Sequence, residues 1–269
     1  MISLEGAVAG VTGGARGIGR ATAAELVRRG ARVFIGDVDI DEAQRAGREI
    51  GACPVQLDVT DPVSMAAFHA TVSAAGPPDM LVNNAGIQIM GPFADTKLEL
   101  YHREVTINLL GVINGMHTFL PGMLERERGH IVNIASMAAK VTTPGMSVYC
   151  ATKYAVAALS RAVRAEIASS AVTVSTVMPT AVHTELTAGV ALDLLPTREP
   201  EDIARAIADS ARHARGEITV PRWLAPMGLI EEVTPEPLLQ RLKQLATLRQ
   251  PPGHYDESAR RRYLDRIGQ

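Results

Sequence analysis

The segment that decides the fold is residues 7–19, which read AVAGVTGGARGIG. An apolar run, Ala7–Thr12, leads directly into a cluster of glycines and then into a helical pattern. Glycines let the chain turn sharply and bring backbone N–H groups close to an anion at the positive end of a helix. The order is G-x-x-x-G-x-G, not the common G-x-G-x-x-G. Because the cluster lies between the first strand and the first helix, it favours a pyrophosphate-binding turn over a purely structural one.

Strands and helices alternate from this turn over the next two hundred residues. Apolar runs typical of strands buried on both faces are separated by longer helical stretches. This order predicts right-handed βαβ units and therefore an α/β fold, a single Rossmann-type doubly wound parallel sheet with helices on both faces. The predicted strands are Ala7–Thr12, Arg32–Ile35, Pro54–Leu57, Met80–Asn83, Gly129–Ile134, Val172–Val177 and Ile218–Val220. The predicted helices are Ile18–Arg29, Asp41–Ile50, Val63–Ala75, Leu98–Leu124, Ala151–Ala168 and Pro200–Arg215.

The character of the sequence changes after Pro221. Residues 222–269 carry many arginines, several prolines and glycines, and no further strand pattern. One amphipathic helix is predicted at Pro237–Leu248, where leucines recur at helical spacing. We therefore expect a Rossmann-type dinucleotide-binding and catalytic domain at residues 1–221, followed by a helical extension that packs on the core or on a partner subunit. Binding of that helix to a membrane surface is the less favoured alternative.

Composition and charge narrow the classes of partner. The 269 residues are 46% hydrophobic and carry a formal net charge of −2, which does not favour a nucleic-acid partner. Cys53 and Cys150 belong to no CxxC or zinc-type spacing, and the seven histidines form no paired-ligand pattern, so we expect neither a disulfide framework nor a metal site. No signal peptide is apparent, and no apolar run reaches the roughly 18 residues that a membrane span needs. These features predict a cytoplasmic protein without membrane association.

Asp37 bears on which dinucleotide the turn would bind. It closes the second predicted strand, 18 residues beyond Gly19. A carboxylate there can accept hydrogen bonds from an adenosine ribose and would repel a 2′-phosphate. Arg16 favours NADP instead, since a guanidinium beside the turn could bind that 2′-phosphate. The direct repulsion at Asp37 outweighs the attraction of a mobile arginine, so NAD is favoured over NADP. The alternative role of Asp37 is that of a turn residue before the next helix.

Three side chains suggest acid–base chemistry. Tyr149 and Lys153 are spaced i and i+4 in a helical stretch, so they project from the same face. A phenol has an unperturbed pKa of roughly 10, and a nearby ammonium would lower it. Ser136 follows the strand that ends at Ile134 and could donate a hydrogen bond to a substrate oxygen. A solvated helix face is the alternative explanation of the Tyr–Lys pair.

Six motifs occur in a fixed order along the first 221 residues. They are Thr12–Gly19, Asp58-Val59, Asn83-Asn84-Ala85-Gly86, Ile107-Asn108-Leu109, Ser136 and Tyr149-x-x-x-Lys153. In order and spacing they resemble the motifs of the short-chain dehydrogenase/reductase family. The resemblance implies an enzyme that transfers a hydride between a nicotinamide dinucleotide and a secondary alcohol or its ketone.

The resemblance also implies roles for individual residues. The tyrosine acts as general acid or base, the lysine lowers the pKa of the tyrosine and holds the nicotinamide ribose, and the serine orients the substrate. The asparagine positions a water in a proton relay; satisfying backbone groups at a helix distortion is its alternative role. The implied catalytic residues are Asn108, Ser136, Tyr149 and Lys153. Together with the glycine turn, the expected cofactor-binding residues are Gly13, Arg16, Gly17, Ile18, Gly19, Asp37, Asp58, Val59, Asn84, Ala85, Gly86, Tyr149, Lys153, Pro179, Val182 and Thr184.

Two departures from the family pattern stand out. The family usually has Pro-Gly after its sixth strand, and this chain has Pro179-Thr180. This change alters the loop without removing a catalytic group. The last 48 residues lack the family's frequent closing glycine pair, which puts the common tetramer arrangement in doubt. A homodimer or homotetramer is expected.

An apolar segment suggests the type of substrate. Ala181–Pro196 lies where the family carries a mobile lid, and apolar residues recur there and near Ser136. A pocket lined in this way suits a lipophilic alcohol or ketone, such as a steroid, retinoid or terpenoid; burial of these residues in the core is the alternative. Gln88 and His183 either face the substrate or are surface or hydrogen-bonded loop residues. The apolar residues are Met137, Val141, Met146, Leu186, Val190, Leu192, Leu194 and Leu195.

Two other functions compete with this one. A non-catalytic dinucleotide-binding sensor or scaffold is disfavoured because it does not need a tuned phenol. Reduction of an activated double bond is disfavoured because enoyl reductases separate the tyrosine and lysine more widely.

Overall fold

The fold is a seven-stranded parallel sheet, which confirms the predicted architecture. The computed structural model describes residues 1–190, 196–247 and 255–267. The strands are β1 (Val8–Thr12), β2 (Arg32–Asp37), β3 (Cys53–Gln56), β4 (Met80–Asn83), β5 (His130–Ile134), β6 (Thr173–Pro179) and β7 (Glu217–Val220). They lie in the order β3-β2-β1-β4-β5-β6-β7, and each neighbouring pair is parallel. The strand order reverses between β1 and β4, the place where open α/β sheets bind ligands.

Helices cover both faces of this sheet. Alternate residues of each strand point to opposite faces, so on β2 Val33 and Ile35 join one core cluster and Phe34 joins the other. The helices are α1 (Gly17–Arg28), α2 (Ile40–Ile50), α3 (Pro62–Ser73), α4 (Leu98–Val105), α5 (Gly111–Glu125), α6 (Ser147–Glu166), α7 (Pro200–His213), α8 (Met227–Val233), α9 (Glu236–Thr247) and α10 (Glu257–Ile267). The first cluster contains residues of α1, α2 and α7, and the second contains residues of α3, α5 and α6.

The helical stretch predicted at Leu98–Leu124 is confirmed, but it contains a π-helical turn that was not predicted. Helix α4 ends at Val105, a π-helical turn occupies Thr106–Leu110, and α5 begins at Gly111. The side chain of Asn108, inside the π-helical turn, hydrogen-bonds the backbone of a neighbouring loop. A π-bulge of this kind often accompanies a functional site. Hydrophobic periodicity does not reveal it because the apolar face continues across the insertion.

The C-terminal extension contains more helix than the sequence predicts. The predicted helix Pro237–Leu248 corresponds to α9, although Leu248 lies outside the described residues. Helix α10 was not predicted, because its arginines suggest a solvated segment. It nevertheless buries Tyr263, Leu264 and Ile267 in a third apolar cluster. Within the described ranges, no helix is both long and apolar enough to cross a membrane.

The buried His130 on β5 is predicted to make the stability of the fold sensitive to acid. His130 is fully buried, and its ring nitrogens lie 2.7 Å from Thr173 Oγ1 and 2.8 Å from Ser210 Oγ. Burial lowers its pKa to about 4. The unfolded histidine titrates near 6.5, so as the pH falls from 6.5 towards 4 the unfolded chain takes up a proton and the native one does not. We expect His130 to account for a loss of about 2 kcal/mol in the free energy of unfolding between pH 7 and pH 5.

Urea unfolding of His130→Gln at the two pH values measures this effect. The difference in the free energy of unfolding between pH 7 and pH 5 should be about 2 kcal/mol smaller than in the wild type. The exposed His213, replaced in the same way, is the control. An unchanged pH dependence in His130→Gln would contradict the prediction.

Candidate active site

The glycine turn forms a tight cradle between β1 and α1. Gly13 and Gly17 have φ angles of 62° and 50°, in the left-handed region that favours glycine. A Cβ at Gly19 would lie 2.1 Å from the carbonyl oxygen of Gly13, so no side chain fits there. Helix α1 begins without a side-chain cap and has no acidic residue in its first turn. Its first N–H groups therefore suit an anion.

The segment after β4 braces this turn. Asn84 Nδ2 donates to the carbonyl oxygens of Thr12 (2.9 Å) and Gly13 (3.0 Å). In return, Thr12 Oγ1 accepts from the backbone N–H groups of Asn84 and Ala85. A Cβ at Gly13 would approach Ala85 Cα to 2.8 Å, so the two backbones pack in direct contact. The predicted motif at Asn84 thus fixes the shape of the cradle.

Carboxylates dominate the end of the cleft beside β2. Asp37 Oδ2 accepts from the backbone N–H of Ala15 at 3.1 Å, which places the carboxylate directly against the glycine turn. Arg16 Nη2 lies 2.7 Å from Asp39 Oδ2 and 3.5 Å from Glu42 Oε2. The hydrogen bond from Arg16 holds the pKa of Asp39 below its usual value. The guanidinium that could have served a 2′-phosphate is therefore already paired.

The predicted reactive residues meet at the carboxyl edge of β5. Tyr149 and Lys153 both lie on α6 and are buried, at 7% and 5% exposure. Lys153 Nζ donates to the carbonyl oxygen of Ile134 at 3.0 Å and lies 5.5 Å from the centre of the Tyr149 ring. Ser136 caps the short 3₁₀ turn Met137–Ala139, with Oγ accepting from Ala138 N. Phenol, ammonium and hydroxyl therefore share one end of the cleft.

The pKa of Tyr149 differs from the sequence-based expectation. Burial raises it above its usual range, and a hydrogen bond with Ser136 opposes this only in part. Burial also lowers the pKa of Lys153 to about 8, against the attraction of Glu104. The net shift of the Tyr149 pKa is thus opposite to the lowering that the sequence predicts, and the contribution of Lys153 to it stays a prediction. Desolvation disfavours the charged form of both groups and is the largest influence on each pKa.

Asn108 binds the loop that follows Gly86. Its Oδ1 accepts from Ile87 N at 2.8 Å, and its Nδ2 donates to Ile87 O at 2.8 Å and to Thr152 Oγ1 at 3.3 Å. The alternative role, an amide that satisfies backbone groups at a helix distortion, is therefore present. A Cβ at Gly86 would lie 3.1 Å from Asn108 Oδ1 and 3.6 Å from Lys153 Nζ. The glycine lets the loop approach the reactive residues.

Glu104 was missed by the sequence analysis. It lies on α4 with no solvent exposure; its Oε1 accepts from Ile89 N at 2.9 Å and its Oε2 has no partner. Burial raises its pKa to about 7, and the charge of Lys153 opposes this. Its position in the sequence could have indicated it. Glu104 is three residues after Tyr101 and four before Asn108, so helical spacing places this carboxylate on the apolar face of the predicted helix.

One cleft of about 1340 Å³ unites the predicted site residues. Except for Gly19 and Asn108, which lie behind its surface, all of them line it. Gln88 also lines it, whereas His183 does not and lies half-exposed, 3.9 Å from Glu199. Of the eight apolar residues predicted near the substrate, Leu192, Leu194 and Leu195 fall outside the described residues. The other five line the cleft: Met137, Val141, Met146, Leu186 and Val190.

The extension adds residues to this cleft that the sequence did not predict. Trp223, Leu224 and Met227 line it from the segment after β7, and Arg266 and Ile267 line it from α10. Their distance in sequence from every recognised motif explains why they were missed. Arg266 pairs with Glu185, which in turn lies 3.9 Å from Arg16, so α10 also approaches the glycine turn.

The fold and the site together indicate the class of protein. A doubly wound sheet carries a glycine cradle, and a buried tyrosine–lysine pair lies at its carboxyl edge; this combination is typical of nucleotide-binding oxidoreductases. Residues 7–194 match the family model described as short chain dehydrogenase. The chain belongs to this family.

Three comparisons place the chain among known proteins. It is 40% identical over 185 residues to the probable oxidoreductase EphD of Mycobacterium tuberculosis, covering 66% of this chain but only 31% of that relative. It is 35% identical over 212 residues to a 3-alpha-(or 20-beta)-hydroxysteroid dehydrogenase of Mycobacterium bovis, covering 76% of this chain and 82% of the relative. The structure resembles that of 3-ketoacyl-(acyl-carrier-protein) reductase from Brucella melitensis complexed with NADH, with a TM-score of 0.77, 30% identity, and coverage of 81% and 98%.

Proposed function

We propose that this protein is a nicotinamide-dependent oxidoreductase that interconverts a secondary alcohol and its ketone, with Tyr149 as general acid or base. The observation that carries the proposal is the meeting of Tyr149, Lys153 and Ser136 at one end of the cleft that begins at the glycine turn. General acid–base catalysis needs a proton-transfer group within reach of the reacting oxygen. A buried phenol beside an ammonium and a hydroxyl meets that requirement.

The residues of the cradle fit a dinucleotide. Gly13 and Gly17 line the cleft where α1 begins with uncapped N–H groups, which suits the pyrophosphate. Thr184, whose methyl group lies 3.3 Å from where a Gly17 Cβ would stand, and Lys153 would hold the nicotinamide end. When bound, the nicotinamide accepts or supplies the hydride.

The proton chemistry follows from the same residues. Ser136 and Tyr149 hydrogen-bond the substrate oxygen and hold the carbinol carbon in place. Burial keeps the Tyr149 phenol protonated, which suits donation to the alkoxide that develops when a ketone is reduced. In oxidation the same oxygen takes the hydroxyl proton, and the Lys153 ammonium stabilises the phenolate that a proton acceptor requires.

NAD is the proposed dinucleotide. The Asp37 carboxylate would repel a 2′-phosphate, and Arg16 is paired with Asp39. The related structure complexed with NADH supports the same choice.

Asp37→Ser is expected to raise the ratio of NADH Kd to NADPH Kd by about tenfold or more, because it removes the repelling charge. Fluorescence titration with both dinucleotides measures the ratio. Asp41→Ser, at an exposed carboxylate on α2, is the control, and an unchanged ratio in Asp37→Ser would contradict the NAD assignment.

A lipophilic substrate is the proposed class. Support comes from the apolar lining at the substrate end and from similarity to a hydroxysteroid dehydrogenase. The deciding experiment is titration with NADH, followed by a screen of lipophilic secondary alcohols and ketones through the nicotinamide absorbance. Turnover is the expected result. Binding without turnover would favour the sensor function, and binding of neither dinucleotide would overturn the proposal.

A further inference from the structure

Residues 87–89, which follow Gly86 and are called the wall of the cleft below, have their backbone groups hydrogen-bonded by side chains. Ile87 and Gln88 line the cleft. Residues 87–89 belong to no helix or strand. Asn108 pairs with both the N–H and the carbonyl of Ile87, and Glu104 accepts from the N–H of Ile89. The two outer residues of this wall are thus held by α4 and the π-helical turn. The middle residue depends on a different element.

Helix α10 holds Gln88. Tyr263 Oη accepts from Gln88 N at 2.6 Å and lies 3.3 Å from Gln88 O, to which it can also donate. Arg260 Nη2 donates to the same carbonyl at 3.2 Å. Both contacts span more than 170 residues of sequence. The extension therefore completes a segment that borders the reactive residues.

The same guanidinium also binds the segment that follows β6. Arg260 Nη1 donates to Leu186 O at 2.6 Å and to Ala188 O at 3.3 Å, in the segment predicted as a lid. Arg260 is 1% exposed and forms no salt bridge with any described residue. A buried charge is costly unless it is hydrogen-bonded, and here three carbonyls and the rings of Tyr255 and Tyr263 surround it. One side chain thus ties the wall to the lid.

The side chain of Gln88 is held in the cleft with spare hydrogen-bonding capacity. Its Nε2 lies 2.9 Å from Met146 Sδ, the one partner that the described residues provide, and a thioether is a weak acceptor. The cleft that Gln88 lines also contains apolar residues, including Ile87, Met90 and Met137. A carboxamide in such surroundings is suited to a polar atom of the bound molecule.

We propose that α10 is part of the substrate site, that Arg260 and Tyr263 are positioning residues which hold Gln88, and that the Gln88 carboxamide selects substrates with a second oxygen. The substrate class is then a lipophilic secondary alcohol or ketone that carries a further hydroxyl or carbonyl. This inference rests on the proposed function of the same cleft. It assigns the distal polar group of the substrate to Gln88 and the shape of the pocket to the extension.

Binding in a non-reacting complex tests the selection. Calorimetry measures the Kd of two bicyclic secondary alcohols, with and without a second hydroxyl, for the protein saturated with NADH, so no turnover is needed. The wild type should bind the diol about tenfold more tightly, as expected for one buried hydrogen bond. Gln88→Leu, Arg260→Met and Tyr263→Phe should each lose most of this difference, whereas Arg262→Met, at an exposed position of α10, should keep it. Equal Kd ratios in the wild type and Gln88→Leu would overturn the proposal.

Amide hydrogen exchange separates positioning from general stability. In Tyr263→Phe, exchange at the Gln88 amide should accelerate about tenfold or more relative to the wild type, while β1 and β4 keep their protection. Arg262→Met is again the control. If Arg260→Met does not fold, Arg260→Lys and Tyr263→Phe carry the test. Unchanged exchange at Gln88 overturns the role of α10. Absence of turnover in a wild type that discriminates between the two alcohols contradicts only the proposed function.

Discussion

Replacing Tyr149 with phenylalanine is expected to lower kcat by about a thousandfold while the Kd for NADH stays within about twofold of the wild type. The phenyl ring fills the same buried position on α6, so packing is retained and only the hydroxyl is lost. That hydroxyl is the group proposed to exchange a proton with the substrate oxygen. Steady-state kinetics on a screened ketone, together with fluorescence titration of NADH, measures both quantities.

Tyr154→Phe is the matched control, because Tyr154 lies on the same helix but is only partly buried. This variant should keep kcat within about twofold, because Tyr154 is not among the residues that line the cleft. If Tyr149→Phe retained most of the wild-type kcat, the assignment of Tyr149 as the acid–base group would be wrong. If it retained a biological function without turnover, the non-catalytic sensor would become the better explanation.

Local sequence patterns predict the part of the fold that short segments determine. The glycine turn at Thr12–Gly19 and the apolar strand runs each depend on neighbouring residues, and the parallel sheet follows from their alternation. The π-helical turn at Thr106–Leu110 escapes such reasoning because its partner, Ile87, lies some twenty residues away. Helix α10 escapes it for the same reason, since Arg260 becomes buried only against distant carbonyls.

The candidate site shows the same limit. The helical spacing of Tyr149 and Lys153 brings them to one face, as the sequence predicts. The direction of the Tyr149 pKa shift was mispredicted because spacing carries no information on burial, and burial is the largest influence on that pKa. Glu104 and Arg260 were missed because an isolated charged residue on a helix is most often solvated. Only the packing of several elements distinguishes these two residues from surface charges.

The Lys153→Met variant is expected to lose about a thousandfold in kcat/KM and, unlike Tyr149→Phe, to bind NADH about tenfold more weakly. Methionine fills the space of the lysine stem but removes the ammonium that donates to Ile134 O and lies beside the Tyr149 ring. The proposed function needs that ammonium twice, to stabilise the phenolate and to hold the nicotinamide ribose. The combined loss of rate and of affinity therefore distinguishes the lysine from the tyrosine.

The pH dependence of the wild type provides a second test of the same residue. Burial lowers the pKa of Lys153 to about 8, so the ammonium is lost as the pH rises through that value, and kcat/KM should fall along the same limb. In Lys153→Met this limb should disappear from whatever activity remains. Lys97→Met, at an exposed position just before α4, is the control and should keep both the limb and the NADH affinity. If the fall of kcat/KM at alkaline pH persists in Lys153→Met, it is caused by the titration of another group. That result would contradict the role of Lys153 in the proposed proton transfer.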